Sequence, residues 1–126
     1  MSTHEHSVDP DSEIAIYGKL FGIFNDHMKV KDFKLAVPEH AVDNIEVIEG
    51  NEGVLLLSRW ENTVSGYLMG DMEQETIRLY LDAVRKGLVV FSVSVKSDEV
   101  KAIAAVAKRS NAARLVYFGE SVVTSY

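Results

Sequence analysis

Two glycines three residues apart follow a short apolar run in "NIEVIEGNEG", residues 44–53, and a phosphate cradle is the chemistry such a spacing can serve. Cradles of that kind join glycines to a helix N-terminus and a lysine or arginine, so that positive ends meet the anion. Here the neighbours are Glu49 and Glu52, which repel a phosphate at close range. Neither the P-loop nor the dinucleotide pattern is present, and an EF-hand needs many more oxygen ligands at fixed spacing. The segment is therefore expected to be a turn whose glycines accept positive φ, silent towards nucleotides and catalysis.

The other reactive side chains are scattered. His27 stands beside Asp26, and His40 three residues before Asp43 in an expected loop, with no HxxxH or HExxH spacing; both read as solvent-exposed. Ser58, Ser65, Ser92 and Ser94 lack the context of a nucleophile elbow. No catalytic set and no cofactor are expected. Arg59-Trp60 is the candidate ligand-binding pair, a forked donor for carboxylate or phosphate beside a flat apolar ring. The competing reading puts the Trp at the edge of a core and the Arg in water. Arg85-Lys86 is accounted for by the dipole at a helix C-terminus.

One metal arrangement is possible near residue 1. Removal of Met1 leaves Ser2-Thr3-His4, whose free amine, two amide nitrogens and imidazole can encircle Cu(II) or Ni(II) in a square plane. Affinity is expected to fall as pH drops, because the amides must deprotonate. Retention of Met1 moves His4 one place on and removes the compact chelate.

The elements that must position these residues come from composition and periodicity. A chain of 126 residues suits one domain with a core of its own. Cysteine is absent, which excludes disulfides, thiolate zinc sites and thiol nucleophiles. No run approaches a membrane span, and "MSTHEHSVDPDSE" has no apolar signal core, so a cytoplasmic location is expected. The net charge of −6 argues against nucleic acid. Residues 1–84 hold sixteen acids and six bases, residues 85–126 three acids and seven bases, for −10 and +4. That gradient could steer an anionic ligand to the C-terminal part or orient subunits.

Residues 1–13 are polar and read as a mobile tail, with residues 14–126 as the domain. Residues 14–24 form an expected strand, with Gly18 or Gly22 at a bulge or close approach. Asn25 or Asp26 caps a helix carrying Val30, Phe33, Ala36 and Val37 on one stripe, which Pro38 closes. Residues 45–48 are a second strand. After Gly87, "LVVFSVSV" puts Val89, Phe91, Val93 and Val95 on one face. Ser97 or Asp98 starts a helix buried along Val100, Ile103, Ala104 and Ala107, Asn111 is its left-handed cap, and "ARLVYFG" returns as a strand. Between the two units, Asp71 and Gln74 form a capping box before Ile77, Tyr80, Leu81 and Val84, while residues 58–69 make a weaker helix through Trp60, Val64, Tyr67 and Leu68.

The pattern predicts an α+β fold: a ferredoxin-like sandwich of two β-α-β units, with a mainly antiparallel four-stranded sheet and an inserted helical pair. "VPEHAVDNIEVIEGNEG", "MGDMEQETIRLYLDAVRKGLVVFSVSV" and "AKRSNAARLVYFG" resemble segments of an uncharacterised group of small bacterial proteins. They are more distantly similar to heat-induced stress-protein domains of bacilli and to low-temperature-induced cyanobacterial proteins. Such relatives often have Gly where Asn111 stands, and an aromatic residue where this chain has Glu120-Ser121-Val122. The resemblance implies a bacterial cytoplasmic α+β protein, stress-linked, with no catalytic residues to carry over. The expectation is a non-enzymatic module that self-associates, as a homodimer through an open sheet face or the Trp60 helix, or binds a small ligand. The rival is a small enzyme using Arg59, His27 or the acidic segment in a pocket under the inserted helices.

Overall fold

The computed structural model describes residues 16–64, 70–119 and 123–126, without the side chains of 63, 64 and 70–72. The expected tail 1–13, the His4 chelate, and Tyr67 and Leu68 of the weaker helix lie outside the described residues. So does the side chain of Asp71, which stands within the first turn of the helix Gly70–Arg85 rather than before it. Ten elements follow in order: β1 (Lys19–Phe24), α1 (His27–Ala36), α2 (Glu39–Val42), β2 (Ile45–Ile48), α3 (Gly50–Val64), α4 (Gly70–Arg85), β3 (Val89–Ser94), α5 (Val100–Arg109), β4 (Ala113–Phe118) and β5 (Val123–Ser125). The fold is α+β, and all pairings in its sheet are antiparallel, in the order β2-β3-β1-β4-β5. The fifth strand exceeds the expected four. Its three residues are half-buried or exposed at the sheet edge, so no apolar alternation announces it.

Local chemistry explains most boundaries. Asp26 caps α1, its carboxylate accepting from the amides of Met28 and Lys29 at 2.9 and 3.2 Å. Val30 and Phe33 are buried, whereas Ala36 of the expected stripe is exposed. Helices α4 and α5 end in the same way. The amides of Gly87 and Leu88 donate to the carbonyls of Val84 and Ala83, and those of Asn111 and Ala112 to Lys108 and Ala107. Gly87 and Asn111 hold the left-handed position of this closure, at φ 88° and 69°, and each hands the chain to a strand.

The expected turn at Gly50–Gly53 is corrected: these residues are the first turn of α3, which begins at Gly50 rather than at residue 58. Gly50 has the expected positive φ, at 67°. Gly53 serves packing instead, because a Cβ there would lie 3.1 Å from the Ile48 carbonyl carbon and 3.3 Å from Val84 Cγ1. Two glycines disfavour a helix by about 1 kcal/mol each, but the long contact of α3 with α4 outweighs that local preference. At α5, neither Ser97 nor Asp98 is the cap: residues 97–99 turn first, and Glu99 precedes the helix without a side-chain cap bond.

The sheet is covered on both faces. On one, Leu20, Phe24, Phe91 and Val93 pack against Val30 and Phe33 of α1 and Val100, Ile103 and Ala107 of α5. On the other, Phe21, Ile23, Val90 and Phe118 pack against Leu57 and Trp60 of α3 and Ile77, Tyr80, Leu81 and Val84 of α4. The open face expected for a homodimer is therefore filled by the inserted pair, and Ser92, read as a polar position, is buried there. Among the described residues, no helix is long and apolar enough to cross a membrane.

Candidate functional site

The site begins with a count mismatch between two strands. Phe21 faces Val116 and Ile23 faces Ala113, so Gly22 of β1 stands opposite both Arg114 and Leu115 of β4. The extra residue forms a β-bulge, a device that re-aims side chains. Arg114 takes φ 56°, the left-handed region that costs a non-glycine residue of order 1–2 kcal/mol. Tyr80, buried on α4, holds it there: its hydroxyl donates to the Arg114 carbonyl at 2.5 Å, with the Phe21 carbonyl 3.4 Å away. Gly22 is required on the other side. A Cβ at that position would lie 2.5 Å from Phe91 Cε1 and 2.7 Å from Leu115 Cδ2.

This bulge sets Arg114 at the junction of two clefts, of about 430 and 390 Å³, between α4 and the β4–β5 edge. Both clefts are bordered by Glu75, Leu79 and Arg114, so they form two lobes of one groove. The first lobe adds Ile23, Leu88 and Lys86; the second adds Leu115, Val116 and Tyr126. Charge is partly engaged. Arg78 pairs with Glu61, and Asp82 with Arg85 at 3.6 Å. Among the described residues, Glu75, Lys86 and Arg114 have no ion-pair partner. Burial pushes the Tyr80 phenol far above its usual range, against a smaller opposing effect of the Arg114 guanidinium, so the hydroxyl remains a neutral donor. The groove can hold an apolar body along its floor and an anionic group at Lys86 and Arg114.

No family model, curated protein or solved structure matches the chain.

The residues singled out in the sequence lie elsewhere. Trp60 is 1% exposed, its ring 5.8 Å from that of Phe21 and edge-on to it, so it fills the core and offers no open surface. Lys19 Nζ lies 5.6 Å from the centre of the indole. Arg59 is exposed and borders neither lobe. His27 does meet the acidic segment, pairing with Glu49 at 2.7 Å beside Lys31 and Lys34, but in a separate cleft between α1 and β2. His40 lies in α2 and pairs with Glu99, also at 2.7 Å. Both histidines are well exposed, as read. Among the described residues, no three His, Cys, Asp or Glu side chains are grouped to hold a metal.

Sequence reasoning missed Glu75 and Arg114, and assigned Lys86 to the helix dipole rather than to a site. Part of the signal was present, since Lys86 and Arg114 both belong to the basic segment 85–126. What could not be read was the bulge, because "ARLVYF" alternates no differently from an unbroken strand.

Proposed function

We propose that this protein is a non-enzymatic small-ligand-binding module, with the groove between α4 and β4 as its site. The observation that carries the reading is Arg114, an arginine held in a left-handed bulge by the Tyr80 hydroxyl, with its guanidinium unpaired among the described residues at the junction of both lobes. Backbone strain of this kind concentrates at functional sites. The ligand is a small molecule that joins an anionic group to an apolar body. Titration with hexanoate tests this: saturable binding weakened about tenfold or more by Arg114→Asn is expected, since that step corresponds to ~1.4 kcal/mol. Heat release that is absent, or unchanged in the variant, contradicts it.

The wider reading is a ferredoxin-like sandwich, supported by the run β2-β3-β1-β4, with α3 and α4 inserted between its halves and β5 added at one edge. Self-association belongs to the same proposal, now through β2, which ends the sheet with one edge unpaired among the described residues. Light scattering should then give a homodimer. The stress link and the cytoplasmic location rest on the resemblance noted above. The enzyme alternative has less support, because Arg59 and His27 stand outside the groove and Tyr80 is a neutral donor there.

A further inference from the structure

Glu75 and Arg114 border the same two lobes and carry opposite charge, yet they form no ion pair with each other. Among the described residues, the lobe towards β5 has no other charged side chain in its lining, so it holds one acid, one base and an apolar floor of Leu79 and Val116. Two opposite charges kept apart across a cleft are together complemented by a ligand that carries both opposite charges. A simple anion leaves Glu75 repelling it, and a simple cation leaves Arg114 doing so.

We infer that the β5-side lobe binds a zwitterion, an apolar α-amino acid, with its carboxylate on Arg114, its ammonium on Glu75 and its side chain on Leu79 and Val116. This rests on the ligand-binding reading and narrows it from anions in general to one class. The geometry has three consequences. The carboxylate meets a planar, forked donor whose backbone is fixed by Tyr80, so the point from which that side chain leaves the strand is set before binding. The ammonium is recognised by Glu75 on α4, an exposed helical position that tolerates substitution. The cleft of about 390 Å³ has room for one such molecule. Lys86, confined to the other lobe, adds a second cation for a ligand whose anionic part extends past Arg114.

The test uses leucine, N-acetyl-leucine and leucine amide as probes on the full chain, by calorimetry, with circular dichroism to verify that each variant folds. Leucine should bind about tenfold or more tightly than either single-charge derivative, a gap of ~1.4 kcal/mol. Glu75→Gln should bring leucine and N-acetyl-leucine to nearly equal affinity, and Arg114→Asn should do the same for leucine and leucine amide. Asparagine tolerates the left-handed backbone, so this variant keeps the bulge; Arg114→Lys, which keeps the charge, should retain part of the affinity. N-acetyl-leucine binding as tightly as leucine, or Glu75→Gln without effect, overturns the zwitterion while anion binding stands. Leucine amide binding as tightly as leucine, with N-acetyl-leucine inert, overturns the assignment of Arg114. Failure of all three probes together with hexanoate overturns the groove as a ligand site.

Discussion

The two faces of the sheet are built from the same strands but differ in kind. The face under α1 and α5 is largely apolar: Phe24, Phe33 and Phe91 interlock with ring centres 4.9–5.7 Å apart. The face under α3 and α4 mixes aromatic packing with polar groups. Lys19, 8% exposed, reaches Glu46 at 3.2 Å, and Ser92 donates to the same carboxylate at 3.3 Å. Among the described residues, Trp60 Nε1 and Glu73 Oε1 are buried without a hydrogen-bond partner. Tyr80 spends its hydroxyl on the bulge. Buried polar groups left unsatisfied cost stability, so one layer serves mainly to fold the chain and the other gives up some stability for a shaped surface.

That contrast predicts unequal responses to substitution. The largest belongs to the apolar face: Phe91→Ala, emptying a fully buried ring site, should lower unfolding free energy by about 3–5 kcal/mol in urea titrations. A loss under ~1 kcal/mol would show that this core is not packed as described. Gly22→Ala comes next, at about 1–3 kcal/mol, because the new methyl meets Phe91 and Leu115 and must displace one of them. Tyr80→Phe should cost about 1 kcal/mol through the lost bond to Arg114.

Tyr80 also has a pH signature. Its phenol is raised in the folded state, so the folded protein holds the proton where the unfolded chain, near its usual pKa of about 10, releases it. The stability this contributes is whole below that pH and is lost as pH rises further. Chemical denaturation should show the decline above pH 10 in the wild type and less of it in Tyr80→Phe.

Glu73→Met tests the polar face from the opposite side. Removing a buried carboxylate whose Oε1 has no partner among the described residues should change stability by less than about 1 kcal/mol or raise it. A loss above ~2 kcal/mol would mean that the carboxylate is well satisfied. The smallest effect belongs to Glu99, whose carboxyl lies below its usual range chiefly through the hydrogen bond from His40. Its contribution is present above the ordinary carboxyl pKa and fades as pH falls through the lowered value. In His40→Ala, an NMR titration should find the Glu99 pKa back near normal.

The same contrast explains what could be read before the fold was known. The α1–α5 face follows from local rules: alternation in "LVVFSVSV", the stripe through Ile103 and Ala107, the Asp26 cap and the Asn111 closure. The α3–α4 face depends on encounters between distant segments. Gly53 enters a helix because Ile48 and Val84 press on it, and Trp60 turns inward because Phe21 awaits it. Arg114 becomes prominent only when Gly22 and Tyr80 force a bulge. No window of neighbouring residues contains those pairs, so periodicity located α4 and its buried stripe but not the groove beside it.

The most direct test compares the groove with its counterpart on the other face, the cleft of His27, Lys31 and Lys34. Both are bordered by cations, but only the groove has a backbone built to present one. In a two-dimensional amide spectrum recorded during a leucine titration, the account predicts saturable shifts at Leu79, Arg114 and Leu115, with His27, Lys31 and Lys34 unmoved. Shifts centred on the α1–β2 cleft, or none at Arg114 at saturating leucine, would contradict it.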